Sequence, residues 1–171
     1  MIAINLFAGA GAGKSTLAAE VFSRLKKLGL KTELVGEYAK ECVYQKAYPI
    51  MSDQLWLFAN QAHRLRSLDS YGVTVAVCDS PLLLSMAYQR GEDKSFNDMV
   101  IAEHNRYKNL NYLLSRNDDF WKADGRCGDL NNAHEIDSLV AGILKHQFHK
   151  SLEPGNIEQV IKDVQKVCTE V

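Results

Sequence analysis

A glycine-rich turn between an apolar run and a helical pattern constrains the fold of this chain more than any other feature. Residues 2–7 form the apolar run, and residues 8–16 have the sequence Ala-Gly-Ala-Gly-Ala-Gly-Lys-Ser-Thr. Glycines let the backbone curl, so that successive N–H groups and the N-terminus of the next helix converge on an anion. The sequence therefore predicts a strand, a phosphate-binding turn and a helix in direct succession.

This turn matches the P-loop pattern at every defined position except the first. Ala8 replaces the first glycine of that pattern, and we expect alanine to be tolerated if the backbone conformation there is one that an L-residue reaches. Lys14 is expected to contact the β- and γ-phosphates of a nucleotide, and the Ser15 hydroxyl to bind the accompanying Mg²⁺ ion. The predicted nucleotide-binding residues are Gly9, Ala10, Gly11, Ala12, Gly13, Lys14, Ser15 and Thr16.

Length and charge narrow the class of protein. With 171 residues the chain is expected to form one domain over residues 1–171. Its 20 basic and 21 acidic residues give a net charge of −1. The chain as a whole therefore lacks the positive charge that attracts nucleic acid or an anionic membrane, although a local basic patch is still compatible with this composition. Four dispersed cysteines and the lack of a long apolar run predict a cytoplasmic protein without disulfides, zinc or a membrane partner. The oligomeric state stays open.

Strand and helix patterns alternate along the rest of the chain. The first helix is expected to end near Leu28, before Gly29, and Ser52 to cap a helix that runs to residue 69. Further strands are predicted at residues 31–36, 73–78, 110–114 and 147–152, and further helices from residue 37, at 82–90, 97–108 and 132–146, and from 154–156 onward. This alternation predicts an α/β fold with a parallel sheet, helices on both faces and ligands at the carboxyl ends of the strands.

Two carboxylates follow predicted strands and are candidates for chemistry. Asp79 ends the most apolar strand, where it would complete a Mg²⁺ shell directly or through water; capping the helix near Pro81 is a compatible alternative. Glu37 ends the second strand, where it would accept the proton of an acceptor hydroxyl. The alternative for Glu37 is a solvated side chain at a helix start.

A polar segment at about residues 115–131 is too long for a simple connection, and we interpret it as an active-site lid. Arg116 and Arg126 lie at its two sides and would stabilise a transferring phosphoryl group, since guanidinium binds phosphate in a fork. Gly125 favours Arg126 for this contact, and salt bridges within the lid are the alternative.

Residues on the predicted second and third helical segments are candidates for binding the acceptor. Aromatic rings there would stack on a base, although core packing is the alternative, and a basic side chain would hold an anionic group, although a solvated face is the alternative. The predicted acceptor-binding residues are Tyr38, Gln54, Phe58, Gln61 and Arg64.

Taken together, these residues resemble the P-loop nucleoside and nucleotide kinases, and more narrowly the nicotinamide-riboside-kinase-like ATP-binding proteins of bacteriophages. The resemblance rests on residues 7–18, 35–40, 53–55, 78–83, 124–126 and 135–137. It implies a three-layer P-loop NTPase fold with a five-stranded parallel sheet in the order 2-3-1-4-5, an arginine-bearing lid, and ATP and Mg²⁺ as ligands. It also implies that an acidic residue after the second strand acts as general base, which supports Glu37.

The favoured hypothesis is an ATP- and Mg²⁺-dependent kinase that moves the γ-phosphate to a hydroxyl or phosphate of a nucleoside-type or nucleotide-type acceptor. Some phage P-loop kinases that look similar phosphorylate a hydroxymethylated pyrimidine in DNA, so 5-hydroxymethyluracil in DNA is an alternative acceptor. A phage-encoded enzyme of this kind would act in the host cytoplasm. The near-neutral charge weighs against a DNA acceptor.

Two other classes stay open, an ATPase switch or motor and a DNA-binding module. The sequence has no NKxD motif, which argues against a GTPase, and Ser80 rather than glutamate follows Asp79, which argues against a motor ATPase.

Overall fold

A computed structural model describes residues 1–89, 93–122 and 128–169 of the chain. The strands within these ranges are β1 Ile2–Phe7, β2 Thr32–Val35, β3 Val75–Cys78, β4 Lys108–Leu114 and β5 Lys150–Leu152. The α-helices are α1 Lys14–Lys27, α2 Tyr38–Tyr44, α3 Tyr48–Met51, α4 Gln54–Ser70, α5 Leu84–Tyr88, α6 Lys94–His104, α7 Leu130–Leu144 and α8 Ile157–Thr169. A short 3₁₀ helix lies at Asp118–Phe120.

The five strands form one parallel sheet in the order β2-β3-β1-β4-β5. The central strand β1 and its neighbour β3 are buried along their whole length, as expected for parallel strands that are covered on both faces. The α/β fold and the strand order implied by the family resemblance are therefore confirmed. In this order, the carboxyl ends of β2, β3 and β1 lie side by side and present the residues that follow them at one edge of the sheet.

Helices cover the sheet on both faces and make three layers. Alternate residues of β1 point to opposite faces, so that Phe7 packs in one apolar cluster and Leu6 in the other. The Phe7 cluster contains buried residues of α4 to α7, whereas the Leu6 cluster contains those of α1 and α8. Among the helices of the described ranges, none combines the length and the hydropathy that crossing a bilayer requires.

Several element bounds differ from the sequence prediction. Asp53, not Ser52, caps α4, because its carboxylate accepts the Trp56 N–H. The helix predicted at 97–108 instead spans Lys94–His104, because Asp93 caps its start and Lys108 already pairs with β1. The helix predicted at 82–90 is shorter and spans Leu84–Tyr88; residue 90 lies outside the described ranges. Strand β5 begins at Lys150 rather than at residue 147.

Candidate active site

The P-loop connects β1 to α1 through two residues with left-handed backbone. Gly11 has φ 82° and Gly13 has φ 87°, values that side-chain-bearing residues rarely adopt. Ala8 does not share this conformation, since Lys46 is the one non-glycine residue of the described ranges with positive φ. Ala8 is instead fully buried beside Leu17 and Val21. The expectation that alanine is accommodated at this position is confirmed.

Lys14 begins α1, and its ammonium group is held by the loop that precedes it. Its Nζ donates hydrogen bonds to the carbonyl oxygens of Ala8 at 2.9 Å and Gly9 at 2.8 Å. Burial lowers the pKa of Lys14, while the carboxylates of Glu37, Asp79 and Asp137 oppose this shift. The ammonium group is therefore positioned by two carbonyls and electrostatically coupled to all three carboxylates.

Ser15 and Asp79 meet where the P-loop helix passes the end of β3. The Ser15 hydroxyl donates a 2.6 Å hydrogen bond to Asp79 Oδ2. Asp79 is 6% exposed, and its Oδ1 is buried with no hydrogen-bond partner in the described part of the chain. A hydroxyl and a carboxylate with a spare buried oxygen suit a hard cation such as Mg²⁺. Capping by Asp79 is not seen, because the next helix begins only after Leu83 and without a side-chain cap.

Arg116 follows β4 and lies against the P-loop. Its side chain is 6% exposed; Nε donates to Asp137 Oδ2 at 2.5 Å and Nη1 donates to the Ala10 carbonyl at 2.7 Å. Arg116 thus forms a salt bridge, the alternative given for it, although with α7 and not within the lid; its contact with the phosphoryl group stays a prediction. Arg126 lies outside the residues that the structure describes.

Asp137 is a site residue that sequence reasoning missed. Besides Arg116, its carboxylate accepts the backbone N–H of Gly9 at 2.5 Å. The two partners of this hydrogen bond are separated by 128 residues, and no local pattern around Asp137 indicates it. The only signal was its place in the family resemblance, which gave it no role.

A cavity of about 1090 Å³ extends from the P-loop into the space between α2 to α5 and the start of α7. Glu37, immediately before α2, lines this cavity together with Ser80, which follows Asp79. Of the predicted nucleotide-binding residues, those that line it are Ala10, Gly11, Gly13, Lys14, Ser15 and Thr16. Gly9 and Ala12 do not. The cavity thus joins the P-loop to the carboxylate predicted as general base.

Three of the five predicted acceptor-binding residues, Tyr38, Gln54 and Gln61, line this cavity. Gln61 is 5% exposed and donates from Nε2 to the Gly36 carbonyl at 3.1 Å. The predicted role of Phe58 is wrong: its ring is 5% exposed, packs edge-on against Phe96 and lies in the core. Core packing, the alternative given for the aromatic rings, is therefore what the structure shows for Phe58.

Arg64 also lies outside the cavity lining, because a neighbouring carboxylate binds it. Its two terminal nitrogens donate to the Glu41 carboxylate at 2.9 and 2.8 Å. These hydrogen bonds lower the pKa of Glu41 and raise the pKa of Arg64. The prediction that Arg64 holds an anionic acceptor is therefore not supported by its position.

Tyr88 is a second site residue that the sequence did not reveal. It ends the short helix α5 and lines the cavity. Burial raises the pKa of Tyr88, and the charges of Glu37 and Asp137 add to this rise. Its phenol is therefore a neutral hydrogen-bond donor close to the predicted general base.

Comparisons with known proteins agree with this architecture. The sequence model of the AAA domain family matches residues 3–159, and the chain belongs to that family. Among solved structures, deoxyadenosine kinase from M. mycoides with bound dCTP is similar, with a TM-score of 0.54 and 15% identity, over 99% of this chain and 100% of that chain. The same kinase with products dCMP and a flexible dCDP gives a TM-score of 0.54 and 16% identity, over 97% and 98% of the two chains.

At this level of identity, the likeness shows a shared fold. The P-loop kinase-like fold that the family resemblance implied is thereby confirmed. No curated protein gave a significant match.

Proposed function

We propose that this protein is an ATP- and Mg²⁺-dependent kinase that phosphorylates a hydroxyl group of a nucleoside-type acceptor. One observation carries the proposal: Lys14, Ser15 and Glu37 line the same cavity, which extends well beyond the P-loop. Its volume of about 1090 Å³ is at the upper end of small-molecule sites and suits two adjoining ligands. The similar fold of a deoxyadenosine kinase supports the same class of acceptor.

In the proposed reaction, the acceptor hydroxyl oxygen attacks the γ-phosphorus of ATP. A new oxygen–phosphorus bond forms, the bond from the γ-phosphorus to the β–γ bridging oxygen breaks, and ADP leaves. Glu37 accepts the hydroxyl proton, while Lys14 stabilises the negative charge of the phosphates. Ser15 and Asp79 are suited to hold Mg²⁺, which neutralises phosphate charge when it is bound.

The charge of the cavity favours a hydroxyl on an uncharged acceptor over the phosphate of a nucleotide. Lys14 and Lys40 are the cationic residues that line the described part of the cavity, and Lys14 belongs to the P-loop. Glu37, Asp129 and Glu135 line it as well. A second phosphate-bearing ligand needs more positive charge than the described lining supplies beyond the P-loop. We therefore assign the acceptor as a nucleoside.

A second candidate acceptor is the hydroxymethyl group of 5-hydroxymethyluracil in DNA. Tyr44 and Tyr48 line the cavity and are 67% and 55% exposed, and nearby Trp56 is 51% exposed. Exposed aromatic side chains near a site are stacking surfaces for the bases of single-stranded nucleic acid. This feature favours DNA, whereas the low net charge of the chain does not.

Phosphoryl transfer from γ-labelled ATP tests both candidates. The acceptors are a panel of ribo- and deoxynucleosides, their monophosphates, and a single-stranded oligonucleotide with one 5-hydroxymethyluracil beside a matched thymine oligonucleotide. We expect label on a nucleoside, and transfer about a hundredfold slower or more with the Glu37→Gln variant. Label on the modified oligonucleotide alone supports the second candidate. ATP hydrolysis without transfer to any acceptor contradicts a kinase and favours a nucleotide switch.

A further inference from the structure

Helix α7 contacts the start of the P-loop at two points one turn apart. A Cβ atom on Gly9 would collide with the carbonyl oxygen of Ala133, so the helix backbone lies directly on this glycine. Four residues later, Asp137 accepts the Gly9 N–H at 2.5 Å. Residues four apart share a helix face, so both contacts come from one side of α7. The other side of the same helix lines the cavity through residues such as Asn132 and Glu135.

Arg116 completes this contact from the end of β4. It donates to Asp137 at 2.5 Å and to the Ala10 carbonyl at 2.7 Å, and its side chain is only 6% exposed. Its Nη2 is buried and has no hydrogen-bond partner among the described residues. These hydrogen bonds connect four residues into one group, which we call the P-loop latch: Gly9, Ala10, Arg116 and Asp137.

The charges of the P-loop latch also matter for binding a nucleotide. A carboxylate beside a triphosphate site repels the ligand unless a cation neutralises it. Arg116 supplies that cation to Asp137 through its short Nε hydrogen bond. The carboxylate can therefore bind the P-loop backbone without opposing the nucleotide.

We propose that Asp137 is a positioning residue that fixes the P-loop in the conformation that binds ATP. Asp137 does not line the cavity, so it acts through the loop and not on the substrate. Its hydrogen bond to Gly9 and that of Arg116 to Ala10 tie one N–H and one carbonyl back to the protein. The remaining amides of the loop are thereby ordered before the nucleotide arrives, which lowers the entropic cost of binding. This inference rests on the proposed function only in taking ATP as the ligand.

The test compares Asp137→Ala and Asp137→Asn with a matched control, Asp163→Asn. Asp163 on α8 is 17% exposed and accepts hydrogen bonds from Lys150 and Tyr112 at 2.6 and 2.8 Å, but it lies outside the cavity lining. ATP binding is measured by calorimetry without acceptor, followed by steady-state KM values for ATP and for the acceptor. Thermal unfolding of each variant shows whether it is folded.

We expect Asp137→Ala to weaken ATP binding about thirtyfold or more, because a hydrogen bond from Gly9 to a charged group is lost and the loop must then be ordered when ATP binds. Asp137→Asn keeps an acceptor oxygen and restores part of the affinity. The acceptor KM changes by less than about threefold, and Asp163→Asn leaves ATP binding unchanged.

Several results would overturn the proposal. One is folded Asp137→Ala with wild-type ATP affinity; another is an equal loss of ATP and acceptor affinity, which indicates general structural damage. If Asp137→Ala does not fold, the ATP affinity of Asp137→Asn is the test. Tighter ATP binding by Asp137→Asn than by the wild type would show that Asp137 acts by charge repulsion and not by positioning the loop. Because binding is measured without an acceptor, a protein that binds ATP and phosphorylates nothing refutes the proposed function but not this inference.

Discussion

The hydroxyl of Ser15 and the carboxylate of Asp79 are joined by a 2.6 Å hydrogen bond, although 64 residues separate them in the chain. The parallel arrangement of β1 and β3 produces this contact, because the residues after both strands emerge at the same edge of the sheet. The two oxygen donors proposed for Mg²⁺ are therefore positioned by the sheet itself.

Replacing Asp79 with asparagine is expected to raise the Mg²⁺ concentration for half-maximal transfer by about tenfold and to lower kcat by about a hundredfold. Asparagine lacks the negative charge with which the Asp79 carboxylate would bind Mg²⁺, but its amide oxygen can still accept the hydrogen bond from the Ser15 hydroxyl. A Mg²⁺ titration of label transfer measures both values. Asp98→Asn, which removes an exposed carboxylate paired with Lys94, is the control, and equal Mg²⁺ dependence of all three proteins would contradict the assignment.

Glu37→Gln separates the general base from nucleotide binding. An amide of the same shape cannot accept the acceptor proton, so we expect kcat to fall about a hundredfold or more while ATP affinity stays within about threefold. Glu41→Gln is the matched control, since Glu41 lies one turn further on α2 but binds Arg64 outside the cavity. A large loss of ATP affinity in Glu37→Gln would instead indicate a role in the donor site.

The sequence predicted those parts of the site that follow local patterns. The P-loop and the apolar β3 strand each have a sequence signature, and Lys14 and Asp79 were found through them. Asp137 and Tyr88 were missed, because their roles come from packing of α7 and α5 around the cavity, and neither helix has a motif. Phe58 was misassigned for a related reason: helical spacing identifies a stripe, but the tertiary fold decides whether that stripe faces the core or a ligand.

The phenol of Tyr88 is expected to donate a hydrogen bond to the acceptor. Since burial and the carboxylate of Glu37 raise its pKa, it stays protonated at neutral pH. Tyr88→Phe should raise the acceptor KM about tenfold, the effect of one lost hydrogen bond, with little change in ATP affinity. Tyr44→Phe, at a cavity-lining ring that is 67% exposed, is the control. Identical acceptor KM values in both variants would refute this role.

His104 gives the fold a pH dependence that is independent of the site. It is 2% exposed, its Nε2 has no hydrogen-bond partner in the described ranges, and burial lowers its pKa to about 4. The unfolded state, with a pKa near 6.5, therefore binds more protons between these two values, and stability falls as the pH drops from about 6.5 towards 4. A shift of this size corresponds to about 3 kcal/mol.

Denaturant unfolding of the wild type and His104→Gln at several pH values between 7 and 5 measures this slope. The slope should be reduced in the variant, whatever its absolute stability. Glu103 also has a lowered pKa, through its hydrogen bonds to Arg66, but its contribution is lost only below about pH 4.5 and does not interfere. An unchanged slope in His104→Gln would exclude His104 as its source.

Lys46 is strained in a position that favours glycine. It follows α2 with φ 55°, its N–H donates to the Val43 carbonyl at 3.0 Å, and the next N–H, of Ala47, donates to Cys42 at 2.9 Å. These two hydrogen bonds form the Schellman motif that ends many helices, usually with glycine at the left-handed residue. Lys46→Gly should stabilise the protein by about 0.5–1 kcal/mol, or about 1–4 °C in Tm, because it removes the clash of Cβ with the backbone.

The end of α1 provides the converse experiment for the strain at Lys46. Gly29 has φ 81° and the same hydrogen-bond pattern, with Gly29 N–H to Lys26 and Leu30 N–H to Leu25, and no atom from a more distant part of the described chain lies within 4 Å of an added Cβ. Gly29→Ala should therefore destabilise by about 1 kcal/mol through backbone strain alone. Thermal unfolding of the two variants compares them directly. Opposite signs are expected, since one substitution relieves and the other introduces the same conformational strain; a shift in the same direction for both would show that side-chain contacts, and not φ, control stability at these helix ends.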